Sequence, residues 1–310
     1  MKKTQILILF LVAHFTVTAQ SKKICITIDD LPAVSYASRD IKHLQHITNI
    51  LVKKLNEHGI PAIGYVNEGK LYTNGNLDST KVDLLETWFK NGLELGNHTY
   101  SHLNYHNVTL KEFGDEIVKG EKVIKSLALK YDQDIKYFRH PYLRIGKTEE
   151  DHSELNTFLT EHGYIEAPVT VDNSDYLFAK AYYIAYSKGD SALMKKIGQD
   201  YIDNMKEALK YFEELSMFVF DRPIQQTLLI HANLLNAHHM DDIANMLANN
   251  GYSFVSQGQV LEDKAYQTDI PKYGNWGISW LERWGMKKSR DQVSFKEAPT
   301  IPDYIAKMSR

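Results

Sequence analysis

The chain has 310 residues, 36 of them basic and 39 acidic, and a formal net charge of −3 at pH 7. It contains no block of basic residues, which argues against nucleic acid or anionic lipid as a partner. The single cysteine, Cys25, excludes an internal disulfide, so the core itself must stabilise the fold. A chain of this length can bury a sizeable core and is compatible with a single α/β barrel.

Residues 1–20 have the pattern of a secretory signal peptide. A basic start at Lys2 and Lys3 precedes an apolar run at residues 6–12, and small residues lead to Ala19. The apolar run is too short to span a bilayer, and no later segment is long and apolar enough to do so. The sequence therefore predicts cleavage after Ala19 or Gln20, no transmembrane segment in the mature chain, and export to the periplasm or the cell exterior.

Short apolar runs alternate with amphipathic segments along the rest of the chain. Predicted strands fall at residues 23–28, 60–67, 93–95, 135–138, 165–171, 226–230 and 252–255. Helical spacing of apolar residues marks segments 40–58, 79–91, 109–130, 149–162 and 238–248. This alternation predicts a parallel sheet or barrel, in which functional residues gather at the carboxyl ends of the strands.

Two regions depart from this alternation. Apolar residues at helical spacing between 193 and 215 predict helices in the segment 177–221, which either overhang the site or only pack on the barrel. Three tryptophans from Trp276 to Trp284 are four residues apart and predict one helical face used for packing. We therefore predict one domain at residues 21–310, with a core at about 23–256, an insertion at about 177–221 and an extension at about 257–310.

Polar side chains that suit metal binding or proton transfer follow the first and third predicted strands. Asp29 and Asp30 are adjacent carboxylates, which need positive charge nearby. Either one binds a metal while the other acts as a base, or the pair forms an ordinary turn or helix cap. His98 and His102 are four residues apart, so both can reach one ion and supply half of a tetrahedral site.

Later strands end in further polar residues. Arg139 follows the fourth strand, and its planar guanidinium suits the holding of a carboxylate in one orientation. Pro141 stiffens the turn after it. Asp172 follows the fifth strand and His231 ends the sixth. Each of these residues alone also fits a structural role, but all of them fall on the same predicted rim.

The order and content of four segments resemble the polysaccharide deacetylases with a NodB-homology domain, also called carbohydrate esterase family four. The segments are Thr27–Asp30, His98–His102, Arg139–Tyr142 and Leu228–His231, and the resemblance covers roughly residues 23–256. It implies an α/β fold, a distorted (β/α) barrel of about seven parallel strands. In this chain a helical insertion would lie between the fifth and sixth strands.

The resemblance also implies a role for each matching residue. Asp30, His98 and His102 would bind the metal, while Asp29 would be the catalytic base and Arg139 would orient it. Pro141 and Tyr142 would form the groove wall, where a backbone N–H near the tyrosine helps to hold the oxyanion. His231 would be the catalytic acid. The family has an aspartate that tunes this acid, and Asp172 is favoured over Asp175 because it is closer to the strand end.

The predicted cofactor is a divalent metal, and zinc fits two histidines and one aspartate best, with cobalt, nickel and manganese left open. The predicted activity is hydrolysis of N-acetyl groups on N-acetylhexosamine glycans such as peptidoglycan, chitin-type chains or an exopolysaccharide. One alternative is an O-acetyl esterase of the xylan type with the same site. Another is a non-catalytic glycan-binding barrel, against which the retained base, ligands and acid argue.

Overall fold

A computed structural model of the chain describes residues 22–36, 40–288 and 298–310. The predicted signal peptide at residues 1–20 lies outside them. The central sheet has seven strands, and every pairing within it is parallel. The strands in chain order are β1 (Lys22–Leu31), β2 (Ile63–Val66), the separate hairpin β3 (Tyr72–Thr73) and β4 (Asn76–Leu77), β5 (Glu94–Asn97), β6 (Tyr137–Phe138), β7 (Ile165–Glu166), β8 (Gln226–His231) and β9 (Tyr252–Phe254).

The helices alternate with these strands. In chain order they are α1 (Ile41–Glu57), α2 (Ser79–Lys90), α3 (Leu110–Lys119), α4 (Lys122–Leu129), α5 (Glu149–Glu161), α6 (Asp175–Ser187), α7 (Ser191–Phe220), α8 (Leu234–Asn249), α9 (Gln257–Leu261), α10 (Trp280–Gly285) and α11 (Asp303–Met308). Among the described residues, none of the helices has the length and apolarity that a membrane span requires.

The sheet order is β7-β6-β5-β2-β1-β8, with β9 beside the start of β1. A parallel bridge between Val171 and Leu228 joins the segment after β7 to β8, which brings the two edges of the sheet together. The sheet is thus curled into a distorted (β/α) barrel, as the sequence predicts. Its carboxyl-terminal rim carries the polar segments that follow β1, β5, β6 and β8.

Both faces of β1 are buried because helices cover one side and the barrel interior lies on the other. Ile24, Ile26 and Ile28 pack into the main core, whereas Cys25 packs into a smaller cluster that includes Tyr65. Successive side chains of a strand point to opposite faces, so this near-continuous apolar run is what a doubly covered strand requires. Burying each isoleucine side chain contributes about 1.5–3 kcal/mol.

The single helix predicted at residues 109–130 is two helices in the structure. Gly120 separates α3 from α4, and a Cβ atom there would lie 2.6 Å from the carbonyl carbon of Thr99. The backbone N–H of Tyr100 also donates to the carbonyl of Glu116 in α3. Gly120 therefore permits the close approach that fixes the loop after β5.

Helices α6 and α7 lie between the fifth and sixth strands of the sheet, where the sequence placed its insertion. They pack through buried apolar residues, with the rings of Phe178 and Tyr201 5.6 Å apart and Phe212 buried further along α7. The tryptophan-rich extension differs from its prediction. Helix α10 includes Trp280 and Trp284 but begins after Trp276, which lies in non-helical chain.

Candidate functional site

The end of β1 and the loop after β5 turn sharply at the residues that face the rim. Asp30, Thr99 and His102 all have left-handed backbone conformations, with φ values of 72°, 66° and 59°. Such a conformation is uncommon for residues other than glycine, and a run of it at strand ends is typical of functional sites. It directs the side chains of Asp30 and His102 towards the same point as His98.

These three residues can surround one cation. One ligand atom from each of Asp30, His98 and His102 lies within 4.8 Å of the other two. The Oδ1 atom of Asp30 is 3.9 Å from Nε2 of His98 and 3.6 Å from Nε2 of His102. This Oδ1 atom is buried and has no hydrogen-bond partner among the described residues. A buried, unsatisfied carboxylate oxygen facing two imidazoles fits a divalent cation such as zinc.

The second nitrogen of His98 supports this fit. Nδ1 donates to the carbonyl oxygen of Arg139 at 2.7 Å, which leaves the lone pair of Nε2 facing Asp30. Metal-binding histidines are commonly oriented by such a bond. Burial lowers the pKa of both His98 and His102 and keeps their imidazoles neutral. Burial would raise the pKa of Asp30, but Lys70 and the nearby histidines outweigh this effect and hold that pKa below its usual range.

Asp29 lies beside this group and is held by a buried arginine. Its Oδ2 atom is 3.7 Å from Nη1 of Arg139 and 3.7 Å from Nε2 of His98. Arg139 in turn donates from Nη2 to the hydroxyl of Thr27 at 3.1 Å and packs 4.7 Å above the ring of Tyr65. Burial raises the pKa of Asp29 to about 6, although Arg139 opposes this shift. A carboxylate with such a pKa can accept a proton near neutral pH.

His231 faces Asp29 across the same cavity because the two residues are register partners on β8 and β1. Its Nδ1 atom donates to Oδ1 of Asp175 at 2.7 Å, and its backbone N–H donates to Oδ2 at 2.9 Å. Burial disfavours the charged imidazole, but Asp175, helped by Asp30 and Asp29, outweighs this effect and raises the pKa of His231 to about 10. His231 is therefore held as an imidazolium with Nε2 available for proton donation.

The structure corrects the assignment of Asp172 as the carboxylate that supports His231. Asp175 makes that contact, because it is the first residue of α6 and its side chain reaches back over the end of β8. The side-chain amides of Asn233 and Asn236 also donate to Asp175, at 3.1 and 2.7 Å. Asp172 instead accepts from the backbone N–H of Asn173 at 2.8 Å. It still lines the cavity, and burial raises its pKa to about 7.

The cavity that collects these groups has a volume of about 510 Å³. Tyr142 borders it with an exposed ring whose centroid is 4.4 Å from that of His102. Its φ of 59° turns the chain after Pro141, which is buried. Pro141 and Tyr142 thus lie in a turn at the cavity edge, where the sequence placed the groove wall.

Sequence reasoning missed Lys70. Its Nζ atom donates to the backbone carbonyl of Asp30 at 2.9 Å and lies 3.4 Å from Oδ1 of the same residue. Lys70 belongs to a short 3₁₀ helix at Glu68–Leu71, where no periodicity or motif marks it. Asn233 and Asn236 were missed too, although a helix-capping asparagine two residues after His231 is a visible signal at the start of α8.

Part of this chain resembles a known family in sequence. Residues 16–157 match the sequence model of the family described as polysaccharide deacetylase. No curated protein matches the sequence. The matched segment contains Asp29, Asp30, His98, His102 and Arg139, whereas Asp175 and His231 lie beyond it.

Solved structures show the same fold at low sequence identity. One is a mutant of a CE4 family pseudoenzyme with restored enzymatic activity, with a TM-score of 0.51 and 15% identity over 78% of this chain and 68% of that one. The wild-type pseudoenzyme from Bacillus anthracis has a TM-score of 0.50 and 14% identity over 78% and 66% of the two chains. A peptidoglycan N-acetylglucosamine deacetylase bound to an N-oxidanyl-benzamide has a TM-score of 0.51 and 19% identity over 77% and 87%.

At sequence identities this low, the similarity to these solved structures supports the fold alone. The match to the family's sequence model covers the segment that contains the aspartates, histidines and arginine of the rim. Residues 16–157, somewhat less than half of the chain, are thus similar to the polysaccharide deacetylase family.

Proposed function

We propose that this protein is an exported, metal-dependent deacetylase that hydrolyses N-acetyl groups of N-acetylhexosamine glycans, releasing acetate and a free amine. The observation that carries the proposal is the arrangement around one cavity: Asp29 and His231 flank the group formed by Asp30, His98 and His102. Peptidoglycan, chitin-type chains and exopolysaccharides are the candidate substrates. The pattern at residues 1–20 supports export.

Each group in the cavity has a chemical task in amide hydrolysis. A zinc ion held by Asp30, His98 and His102 would supply Lewis-acid polarisation of the substrate carbonyl and of a water molecule. Asp29 accepts the proton of the attacking water, and Arg139 keeps its carboxylate facing the cavity. His231 donates a proton to the departing nitrogen while Asp175 stabilises the imidazolium. A backbone N–H in the turn at Tyr142 is suited to hold the developing oxyanion.

The charged state of His231 favours an N-acetyl over an O-acetyl substrate. An amine is a poor leaving group until it is protonated, so amide hydrolysis depends on a positioned acid. With its pKa raised to about 10, His231 carries that proton throughout the neutral range. The non-catalytic alternative remains relevant because one structural neighbour is a pseudoenzyme. Retention of Asp29, the three-residue ligand group and His231 favours catalysis.

Acetate release from a panel of acetylated glycans tests the proposal. We expect release from at least one N-acetylated glycan, loss with chelator, and recovery with zinc. Release only from O-acetylated xylan would establish the esterase instead, and glycan binding without release would establish the binding barrel.

Two further measurements test the metal and the export. Elemental analysis of purified His98→Ala should show loss of bound metal, with Lys111→Met on the exposed face of α3 as the control. Unchanged metal content in His98→Ala would refute the ligand assignment. Amino-terminal sequencing of the protein recovered outside the cytoplasm should begin at residue 20 or 21, and an intact Met1 there would refute cleavage.

A further inference from the structure

A second cavity adjoins the candidate site and has a different charge. Its volume is about 520 Å³, and it shares Val34 and His102 with the first cavity, so the two meet beside the proposed metal group. Its other lining residues come from the segment after β1, the helix α1, the segment after β2, the strand β3, the helix α2 and the loop after β5. A glycan unit in this second cavity would therefore be a neighbour of the unit whose acetyl group reacts.

Two lysines line the second cavity, although the chain as a whole has a net charge of −3. Lys70 and Lys81 line it, and its described lining includes no aspartate or glutamate. Lys81 Nζ donates to the backbone carbonyl of Tyr72 at 3.4 Å, and an ammonium group has three donors, so two remain. A third cation, Lys119, lies 3.7 Å above the ring of Tyr100.

Carboxylates close to this cavity are engaged elsewhere. Glu116 accepts from the backbone N–H and the hydroxyl of Ser101, at 2.7 and 2.6 Å. Asp78 caps α2 and accepts from the hydroxyls of Thr73 and Thr80. Lys70 is already paired with Oδ1 of Asp30 at 3.4 Å, so Lys81 supplies the positive charge that remains for an anionic ligand.

Asn67 provides an independent sign that the cavity receives a polar ligand. It lines the cavity and is only 1% exposed, and its Oδ1 atom has no hydrogen-bond partner among the described residues. Its Nδ2 atom is fixed by donation to the carbonyl of His98 at 2.6 Å. An oriented, unsatisfied acceptor suits a hydroxyl group. The rings of Tyr72 and Tyr100, with centroids 5.7 Å apart, add an apolar wall of the kind that packs against sugars.

We propose that this second cavity binds a sugar unit bearing a carboxylate, so that the enzyme prefers acidic acetylated glycans to neutral ones. The carboxylate pairs with Lys81, and a hydroxyl of the same unit donates to Asn67. This inference rests on the proposed deacetylase function and specifies its substrate class. It assigns Lys81 as a specificity-determining residue that does not touch the reacting bond.

The test compares two oligosaccharides that differ only in charge. One is a tetrasaccharide of alternating N-acetylglucosamine and N-acetylmuramic acid, and the other is the same compound with each lactyl carboxylate converted to a primary amide. With the zinc-loaded protein, we expect KM for the carboxylate form to be lower by about three- to tenfold, the value of a partly exposed charge-assisted contact. Added salt should reduce this ratio.

Variants of one side chain assign the effect to the cavity. Lys81→Met keeps the length of the side chain but removes its charge, so the ratio of the two KM values should approach one. Lys81→Arg should retain most of the preference, and Lys111→Met on the distant face of α3 should behave like the unchanged protein. Equal KM values for the two compounds in the unchanged protein, or the same ratio in Lys81→Met, would overturn the inference.

Calorimetric binding of both compounds separates this inference from the proposed function. If neither compound releases acetate but the carboxylate form binds more tightly and Lys81→Met abolishes the difference, catalysis is refuted and the acidic-glycan site stands. If acetate is released from both at equal efficiency and affinity, the deacetylase stands and the acidic-glycan site is refuted. Absence of charge-dependent binding in either case refutes the site.

Discussion

Asp175→Asn tests the electrostatic role of the carboxylate that the structure pairs with His231. Asp175 is 1% exposed and outweighs the effect of burial to raise the pKa of His231 to about 10, so the imidazole is almost fully protonated at pH 8. A histidine with the ordinary pKa of about 6.5 is only about 3% protonated at that pH. The variant should therefore lose about thirtyfold of its protonated acid at pH 8, and loss of orientation should bring the total to about 10²–10³.

The direction of the pH dependence follows from the charge that Asp175 stabilises. Removal of the carboxylate lowers the pKa of His231, so the activity that needs the imidazolium disappears at a lower pH. The alkaline limb of the kcat/KM profile should move from near pH 10 towards pH 7, and the deficit should shrink as the pH is lowered to 6. NMR titration of the His231 imidazole in the metal-free protein measures the same shift without reliance on turnover.

Asp172→Asn is the matched control, because it replaces a nearby carboxylate that lines the cavity beside His231 but makes no hydrogen bond to it. Its alkaline limb should stay in place. Thermal melting of Asp175→Asn is needed beside the kinetics, since the new amide faces the donors of Asn233 and Asn236. If the pKa of His231 is unchanged in Asp175→Asn, or falls equally in Asp172→Asn, the electrostatic account of the acid is refuted.

Three further changes probe the base, the core and the metal loop. Asp29→Asn should keep zinc but lose about 10²–10⁴ in kcat. Asp30→Asn should bind zinc more weakly by calorimetry, and its activity should recover partly at high zinc concentration. The reverse pattern would show that the two residues have each other's role. Phe178→Ala should lower the free energy of unfolding by about 3–5 kcal/mol in a urea titration, because its ring is fully buried between α6 and α7, and a loss below 1 kcal/mol would show that this contact is dispensable. Gly120→Ala should weaken zinc binding by displacing the backbone at Thr99, and unchanged affinity would show that this close approach does not hold the loop.

Patterns of composition predicted the strands well because each strand is a short apolar run between polar turns. The buried face of β1 and the polar residues at its end are adjacent in the chain, so Asp29 and Asp30 could be placed on the rim directly. The break between α3 and α4 could not be predicted in the same way. Gly120 is required because the backbone of Thr99, which is distant in sequence, packs against it. A glycine inside an otherwise continuous helical pattern does not show which residue it contacts.

The incorrect prediction that Asp172, rather than Asp175, supports His231 has a similar cause. Proximity to the strand end favoured Asp172, but contact with His231 depends on the direction in which the first turn of α6 points its side chains. Asp175 collects donors from the His231 backbone, the His231 imidazole and two asparagines of the following loop and helix. These donors come together only when the rim is assembled, so the spacing of the two aspartates in the sequence could not predict which one contacts His231.

The insertion also gains a definite role from the structure. From the sequence, helices at residues 177–221 could shape the substrate groove or only pack on the barrel. The first residue of α6 holds the proposed catalytic acid, and the body of α6 is anchored by buried contacts to α7. Replacement of residues 180–220 with a short linker is therefore expected to unfold the region that positions Asp175, rather than to change only the choice of sugar.

Sheet register finally explains why the proposed base and acid can work as a pair. Asp29 and His231 are Cα partners in the parallel pairing of β1 with β8, and the backbone N–H of Ala232 donates to the carbonyl of Asp29. Paired residues on neighbouring strands point to the same face, about 4.8 Å apart at the backbone. A slip of one residue would turn one of them away, and it would also move Ile24, Ile26 and Ile28 from the main core to the face on which the smaller Cys25 packs, so the packing of both faces opposes it. The same core that stabilises the barrel thus fixes the distance across which a proton is accepted on one side and donated on the other.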